Sequence, residues 1–156
     1  MNTISPSEPA RAINRAIVME TANHSWDSDL RPPELVFVYG TLKNGQSNHH
    51  LLAGCSFCGE ARLPALALYN LGPFPMAIAS NNPNTVLQGE LYAVSDAQLA
   101  ELDRLEGAPR LYERQQHKLS DGRAVWVYVG RARQVRHVPL IPSGEWPGRS
   151  PAGNRY

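Results

Sequence analysis

One carboxylate in this chain falls where charge is costly. On a helix turning about 100° per residue, Leu99, Leu102 and Leu105 point at about 0°, 300° and 240°. Glu106, at about 340°, falls inside that apolar stripe, whereas Glu101 and Arg104 fall on the opposite side. A carboxyl held against the interior is harder to ionise, and in the last helical turn it also meets the negative end of the helix dipole. Both effects raise its pKa toward neutral pH, which is what a general acid/base requires. The plain alternative is a rim residue, or a capping role through Arg110. A second feature can serve such a group. The run Leu35 to Tyr39 leads into Gly40-Thr41-Leu42. Glycine at a sheet end lets backbone N–H groups face outward, so that they can hold an anionic group without a charged side chain. The alternative there is an ordinary loop.

Other residues with chemical potential are less persuasive. Cys55-Ser56-Phe57-Cys58 has the C-x-x-C spacing, with His49-His50 just upstream. A zinc site from these four is arithmetically open. No second C-x-x-C pair exists, however, and within one strand Cys55 and Cys58 face opposite sides. Free thiols are the better reading, and neither a metal nor a cofactor is expected. Arg131, Arg133, Arg136 and His137 form a short basic run, read as a solvated face or a contact between tail and domain. Tyr112 and Tyr128 could line the mouth of any pocket at this end of the sheet, with His117 nearby. Packing is the favoured role for each of the three.

These residues need elements to place them, and the pattern is mostly strands. Leu35 to Tyr39 is a continuous apolar, β-branched and aromatic run stopped by Gly40. Asn44-Gly45 signals a turn, followed by a short helical turn over His49 to Ala53 that Gly54 ends. Leu66 to Leu71 and Val86 to Val94 are further strands, separated by a Pro-rich loop around Gly72-Pro73-Phe74-Pro75. Glu113 to Leu119 and Ala124 to Val129, joined through Asp121-Gly122, read as a hairpin. Ser95 and Gln98 have capping-box spacing at the start of the one clear helix, and Gly107 with Pro109 ends it. Many short strands with few helices point to an α+β fold with a closed or nearly closed sheet.

The chain of 156 residues suits one domain. Its 15 Lys and Arg against 14 Asp and Glu leave a formal charge of +1, which argues against an electrostatic nucleic-acid binder. No apolar run reaches the ~18 residues of a membrane helix, and the N-terminus lacks a signal-peptide pattern. Two cysteines make no disulfide framework, so the expected setting is the cytoplasm and the expected partner a small molecule. Residues 1–33 read as a loosely attached extension with one short helix at Arg11 to Glu20. The domain spans 34–138, and 139–156 form a Pro/Gly-rich tail.

Three strings carry a family resemblance: Val36-Phe37-Val38-Tyr39-Gly40-Thr41-Leu42-Lys43, Gly89-Glu90-Leu91-Tyr92 and Leu102-Asp103-Arg104-Leu105-Glu106-Gly107. Together they resemble the γ-glutamylcyclotransferase-like family over about residues 34 to 130, with a weaker echo in Gly144-Glu145-Trp146. The longer string from Tyr39 to His49, with Pro109, Tyr112 and Arg114, is most similar to the γ-glutamylamine cyclotransferase branch. The resemblance implies a small mixed β-barrel with a few short helices and a pocket at one end. It implies that the backbone of Tyr39, Gly40, Thr41 and Leu42 cradles the α-amino and α-carboxylate end of a γ-glutamyl group, with Glu106 as the catalytic acid/base. The implied reaction is cyclisation to 5-oxoproline with release of the amine. A non-catalytic binding module on the same fold is the competing expectation.

Overall fold

A computed structural model of the chain describes residues 32–148. The extension expected over 1–33, with its helix at 11–20, lies outside the described residues except for Pro32 and Pro33. Eight strands follow in order: β1 (Glu34–Val38), β2 (Ser56–Pro64), β3 (Leu66–Asn70), β4 (Pro75–Ala79), β5 (Val86–Val94), β6 (Glu113–Lys118), β7 (Ala124–Val129) and β8 (Leu140–Ile141). One α-helix, α1 (Asp96–Glu106), connects β5 to β6, and 3-10 turns occupy His49–Leu52 and Ala132–Val135. No helix among the described residues is long and apolar enough to cross a membrane.

The strands form one mixed sheet in the order β2-β5-β1-β7-β4-β3-β8, with β6 also paired to β7. β6 covers one edge of β7 along its length, from Glu113 opposite Val129 to Lys118 opposite Ala124. The two parallel partners of β7 therefore share its other edge in succession, β1 at Trp126 and β4 at Val129. The sheet forks there, with the ends of β1 and β4 side by side. Among the described residues the sheet keeps free outer edges at β2, β6 and β8, so the α+β class stands but the expected small barrel does not close. β2 explains one open end: its residues are largely exposed, include Glu60 and Arg62, and are interrupted by a bulge between Phe57 and Gly59. Charges and a bulge are common ways to blunt an edge strand.

Alternation along the central strands divides the core between two faces. Val36 and Val38 of β1 join Tyr92, Leu99, Leu102 and Tyr128 on the helix side. Phe37, Tyr39, Val125, Val127 and Val129 pack on the other with Leu63, Leu87, Leu91 and Trp146. β7 is thus packed on both faces, as its unbroken AVWVYV sequence suggests. α1 docks through Leu99 and Leu102, each contributing about 1.5–3 kcal/mol by burial. Leu105 does not join them: it is 38% exposed, because at about 240° it lies on the edge of the stripe turned away from the sheet.

Of the residues expected to form a tail over 139–156, those described, up to Gly148, belong to the packed region. Leu140 and Ile141 pair with Tyr69 and Leu68 of β3, and the Trp146 side chain is fully buried. Gly144 makes that close approach possible, since a Cβ there would meet the Val86 carbonyl at 1.9 Å.

Candidate active site

The fork between β1 and β4 opens into a small pocket. Phe37 to Leu42 line one side, Phe74 and Pro75 another, and Glu106, Tyr112 and Tyr128 complete it. All five residues singled out in the sequence, Tyr39, Gly40, Thr41, Leu42 and Glu106, meet in this one cavity. Among the described residues it is lined by no Lys, Arg or His, and Glu106 is the one lining group there that carries charge near neutral pH.

The turn after β1 has its shape for local reasons. Gly40 is required because Pro75 lies against it: a Cβ would stand 2.8 Å from Pro75 Cγ and 2.9 Å from Cδ. Lys43 N–H donates to the Gly40 carbonyl (3.0 Å), and Asn48 N–H donates to the Thr41 carbonyl (2.8 Å). The nearly buried Lys43 ammonium donates to the Trp146 carbonyl at 2.9 Å, tying the turn to the C-terminal segment. Among the described residues, no protein acceptor takes the N–H groups of Gly40, Thr41 or Leu42. Three consecutive donors on a pocket wall suit a carboxylate or an oxyanion.

The Tyr39 side chain has a different task from its backbone. Its hydroxyl donates to the Tyr128 carbonyl at 2.6 Å and accepts from Ala77 N–H at 3.1 Å. The phenol therefore bridges β7 and β4 where the sheet forks. Burial holds its pKa well above the ordinary value. Tyr112 donates to the Pro75 carbonyl at 2.6 Å, and burial, then the nearby Glu106 charge, keeps it protonated. Tyr128 donates to Asp103 Oδ1 at 2.7 Å. Asp103 in turn takes Arg114 Nε (2.8 Å) and Arg114 Nη2 (3.2 Å) in a two-pronged pair, and the guanidinium stacks 4.3 Å above the Trp126 ring. Asp103 is thus committed to Arg114 and Tyr128.

Glu106 is the last residue of α1. Ser95 and Gln98 make the full capping box at the other end of the helix, and Gly107 terminates it in the left-handed conformation, with φ 64° and ψ 34°. Lying between Leu99 and Leu102 in angular position, Glu106 is half-buried against the core. Burial raises its pKa from 4.5 to about 7. Beyond the helix, Arg131 donates to the carbonyls of Pro109 (2.8 Å) and Arg110 (2.9 Å). Gln134 adds a bond to the Leu111 carbonyl at 2.9 Å. These clamps hold the segment that brings Tyr112 round to the same pocket as Glu106. Arg131, read as part of a solvated face or a contact between tail and domain, instead grips the loop beyond α1.

The family model described as gamma-glutamyl cyclotransferase, AIG2-like, matches residues 36–148. The chain belongs to this family. The gamma-glutamylcyclotransferase family protein YtfP of Escherichia coli K12 is 37% identical over 111 residues, covering 71% of this chain and 94% of that protein. The human gamma-glutamylaminecyclotransferase is 39% identical over 90 residues, covering 51% of this chain and 58% of its own. Among solved structures, an AIG2-like protein from Mus musculus superposes with a TM-score of 0.63 at 25% identity, covering 81% of this chain and 96% of that one.

Set against this gamma-glutamyl cyclotransferase family frame, sequence reasoning missed Phe74 and Pro75. They lie in a Pro-rich stretch whose only signal was a loop, and Pro75 begins β4. Tyr112 and Tyr128 do line the pocket, whereas His117 contacts Gln115 on β6 and takes no part in the lining. Cys55 precedes β2, and Cys58 sits exposed at the bulge of that strand. Among the described residues, no three metal-ligating side chains converge.

Proposed function

We propose that this chain is a cyclotransferase that converts a γ-glutamyl amide to 5-oxoproline and releases the amine. γ-Glutamylamines are the favoured substrates, and the cytoplasm is the favoured setting, where free thiols such as Cys55 and Cys58 persist. The reading is supported by one acidic group with a pKa of about 7 that lines the same small pocket as the Gly40–Leu42 turn, whose backbone N–H groups have no protein acceptor among the described residues.

The chemistry needs no nucleophile from the protein. The substrate α-carboxylate sits on the N–H groups of Gly40, Thr41 and Leu42, which leaves the α-ammonium toward Glu106. The ionised carboxylate takes a proton from that ammonium. The freed amine attacks the γ-carbonyl carbon, forming the new C–N bond of a five-membered ring. Glu106, now a carboxylic acid, gives its proton to the departing nitrogen as the old C–N bond breaks, and the ring nitrogen sheds its second proton to the released amine, which departs as an ammonium ion. A pKa near neutrality keeps both forms populated, so one group can serve in both directions. Holding the substrate curled for attack recovers up to ~7–11 kcal/mol of the barrier, and acid/base help adds ~10²–10⁴-fold. The protonated phenols of Tyr112 and Tyr128 fix the walls without adding charge.

A panel of γ-glutamyl-lysine, γ-glutamyl amino acids and glutathione, scored for 5-oxoproline, tests the reading. Product from at least one γ-glutamyl compound is expected, and from the γ-glutamylamine above the rest. Folded protein that makes 5-oxoproline from none of them overturns it in favour of a binding module.

A further inference from the structure

The Gly89-Glu90-Leu91-Tyr92 string has no part in the chemistry above, yet it carries a carboxylate in the middle of a strand. Glu90 lies opposite Val38, the last residue of β1. Gly89 draws the two strands close, since a Cβ there would stand 2.4 Å from the Val38 carbonyl and 2.8 Å from the Phe37 ring. From that position Glu90 Oε1 accepts two hydrogen bonds, from Asn44 N–H at 2.9 Å and from the Tyr92 hydroxyl at 3.0 Å. Asn44 is two residues beyond Leu42, on the same turn that lines the pocket.

We propose that Glu90 is a positioning residue that holds the Gly40–Leu42 turn in its substrate-binding shape by fixing Asn44. The proposal rests on the reaction assigned above and adds a residue to it. Among the described residues, the other hydrogen bonds on the turn are internal to the segment: from Lys43 N–H to Gly40, from Gln46 N–H to Lys43, from Asn48 N–H and Nδ2 to Thr41, and between His49 Nδ1 and the Leu42 carbonyl. Such bonds preserve a turn's curvature but do not fix its position relative to the sheet. Among the described residues, polar ties to the rest of the fold that do so include Lys43 Nζ on the Trp146 carbonyl and Asn44 N–H on Glu90. They act on adjacent residues, immediately after the three residues of the turn that line the pocket. Glu90 also borders a separate polar cleft that includes Lys43 and Arg62, yet among the described residues it makes no ion pair with either. Its partners are a neutral amide and a neutral phenol, so the role needs an acceptor oxygen rather than a charge.

That distinction sets the test. Glu90→Gln retains a carbonyl oxygen able to accept both bonds, whereas Glu90→Ala removes it. With a γ-glutamyl substrate that the wild type turns over, Glu90→Ala should raise KM by up to about tenfold, the order of one lost hydrogen bond. Its kcat should stay within about threefold, and the acidic limb of its pH–rate profile should stay where Glu106 sets it. Glu90→Gln should keep KM within about threefold of wild type, and so should Tyr92→Phe, which removes only the other bond to the same oxygen. An unchanged KM in Glu90→Ala, or a Gln variant as impaired as Ala, overturns the proposal while leaving the reaction intact. A wild type without turnover overturns the reaction and this proposal with it. If Glu90→Ala does not fold, hydrogen exchange of the wild-type Asn44 amide decides: saturation with 5-oxoproline should slow it, and an unchanged rate counts against the coupling.

Discussion

Replacing Glu106 by glutamine should stabilise the protein at alkaline pH even as it removes turnover. Burial lifts the Glu106 pKa from 4.5 to about 7, so between these values the folded protein holds a proton that the unfolded chain has released. For a raised pKa, the favourable contribution is complete below the unfolded value and is lost as pH climbs through the folded one. Each pH unit across that interval is worth about 1.4 kcal/mol, so the penalty approaches about 3 kcal/mol above pH ~8. That figure is an upper bound, because Glu106 is only half-buried. Glutamine has nearly the same shape and no proton to lose. Urea unfolding of wild type and Glu106→Gln, followed by fluorescence of the core tryptophans from about pH 4 to about pH 9, measures the difference directly. Near pH 4 the two should match to within about 0.5 kcal/mol. Above neutrality the variant should gain up to about 3 kcal/mol, with Tm up to about 10 °C higher. A difference that does not vary with pH, or a variant less stable at pH ~8, would refute the claim that Glu106 ionises against its surroundings.

The other expectations concern the parts that hold the pocket. Gly40→Ala puts a Cβ within 2.9 Å of Pro75, so KM should rise and stability fall by about 1–3 kcal/mol, read by kinetics and urea unfolding. Tyr39→Phe strands the Ala77 N–H and the Tyr128 carbonyl where the sheet forks, at a cost of about 1–3 kcal/mol in denaturant unfolding. Arg131→Ala releases the carbonyls of Pro109 and Arg110, which should lower kcat more than it raises KM. Lys at that position should recover only part of the loss, because one ammonium does not reproduce the planar fork.

What the sequence revealed about this site depended on how local its signals were. The cap at Ser95, the stop at Gly107 and the placement of Glu106 between Leu99 and Leu102 all lie within one helix, where 3.6-residue periodicity is informative. β1, β5 and the β6–β7 hairpin were legible as apolar or alternating runs, and Gly122 takes the positive φ expected of that turn. β2 was not, because an edge strand rich in charge with a bulge at Cys58 has no alternation to detect. β4 hid behind Pro73 and Pro75, although four of its five residues are buried. Closure of the sheet was misjudged because it depends on which edges meet in space, and β1 and β4 share one edge of β7. The same non-locality hid Phe74 and Pro75 from the site and concealed the roles of Glu90 and Arg131, whose partners lie 46 and about 21 residues away.

The central claim is that the substrate's own α-amino group, not water, cleaves the amide. Turnover in water enriched in heavy oxygen tests this directly, with the released acid analysed by mass spectrometry. The account predicts 5-oxoproline without the heavy isotope, and no product above background from Glu106→Gln. Labelled glutamate as the primary product, or full turnover by Glu106→Gln, would contradict it.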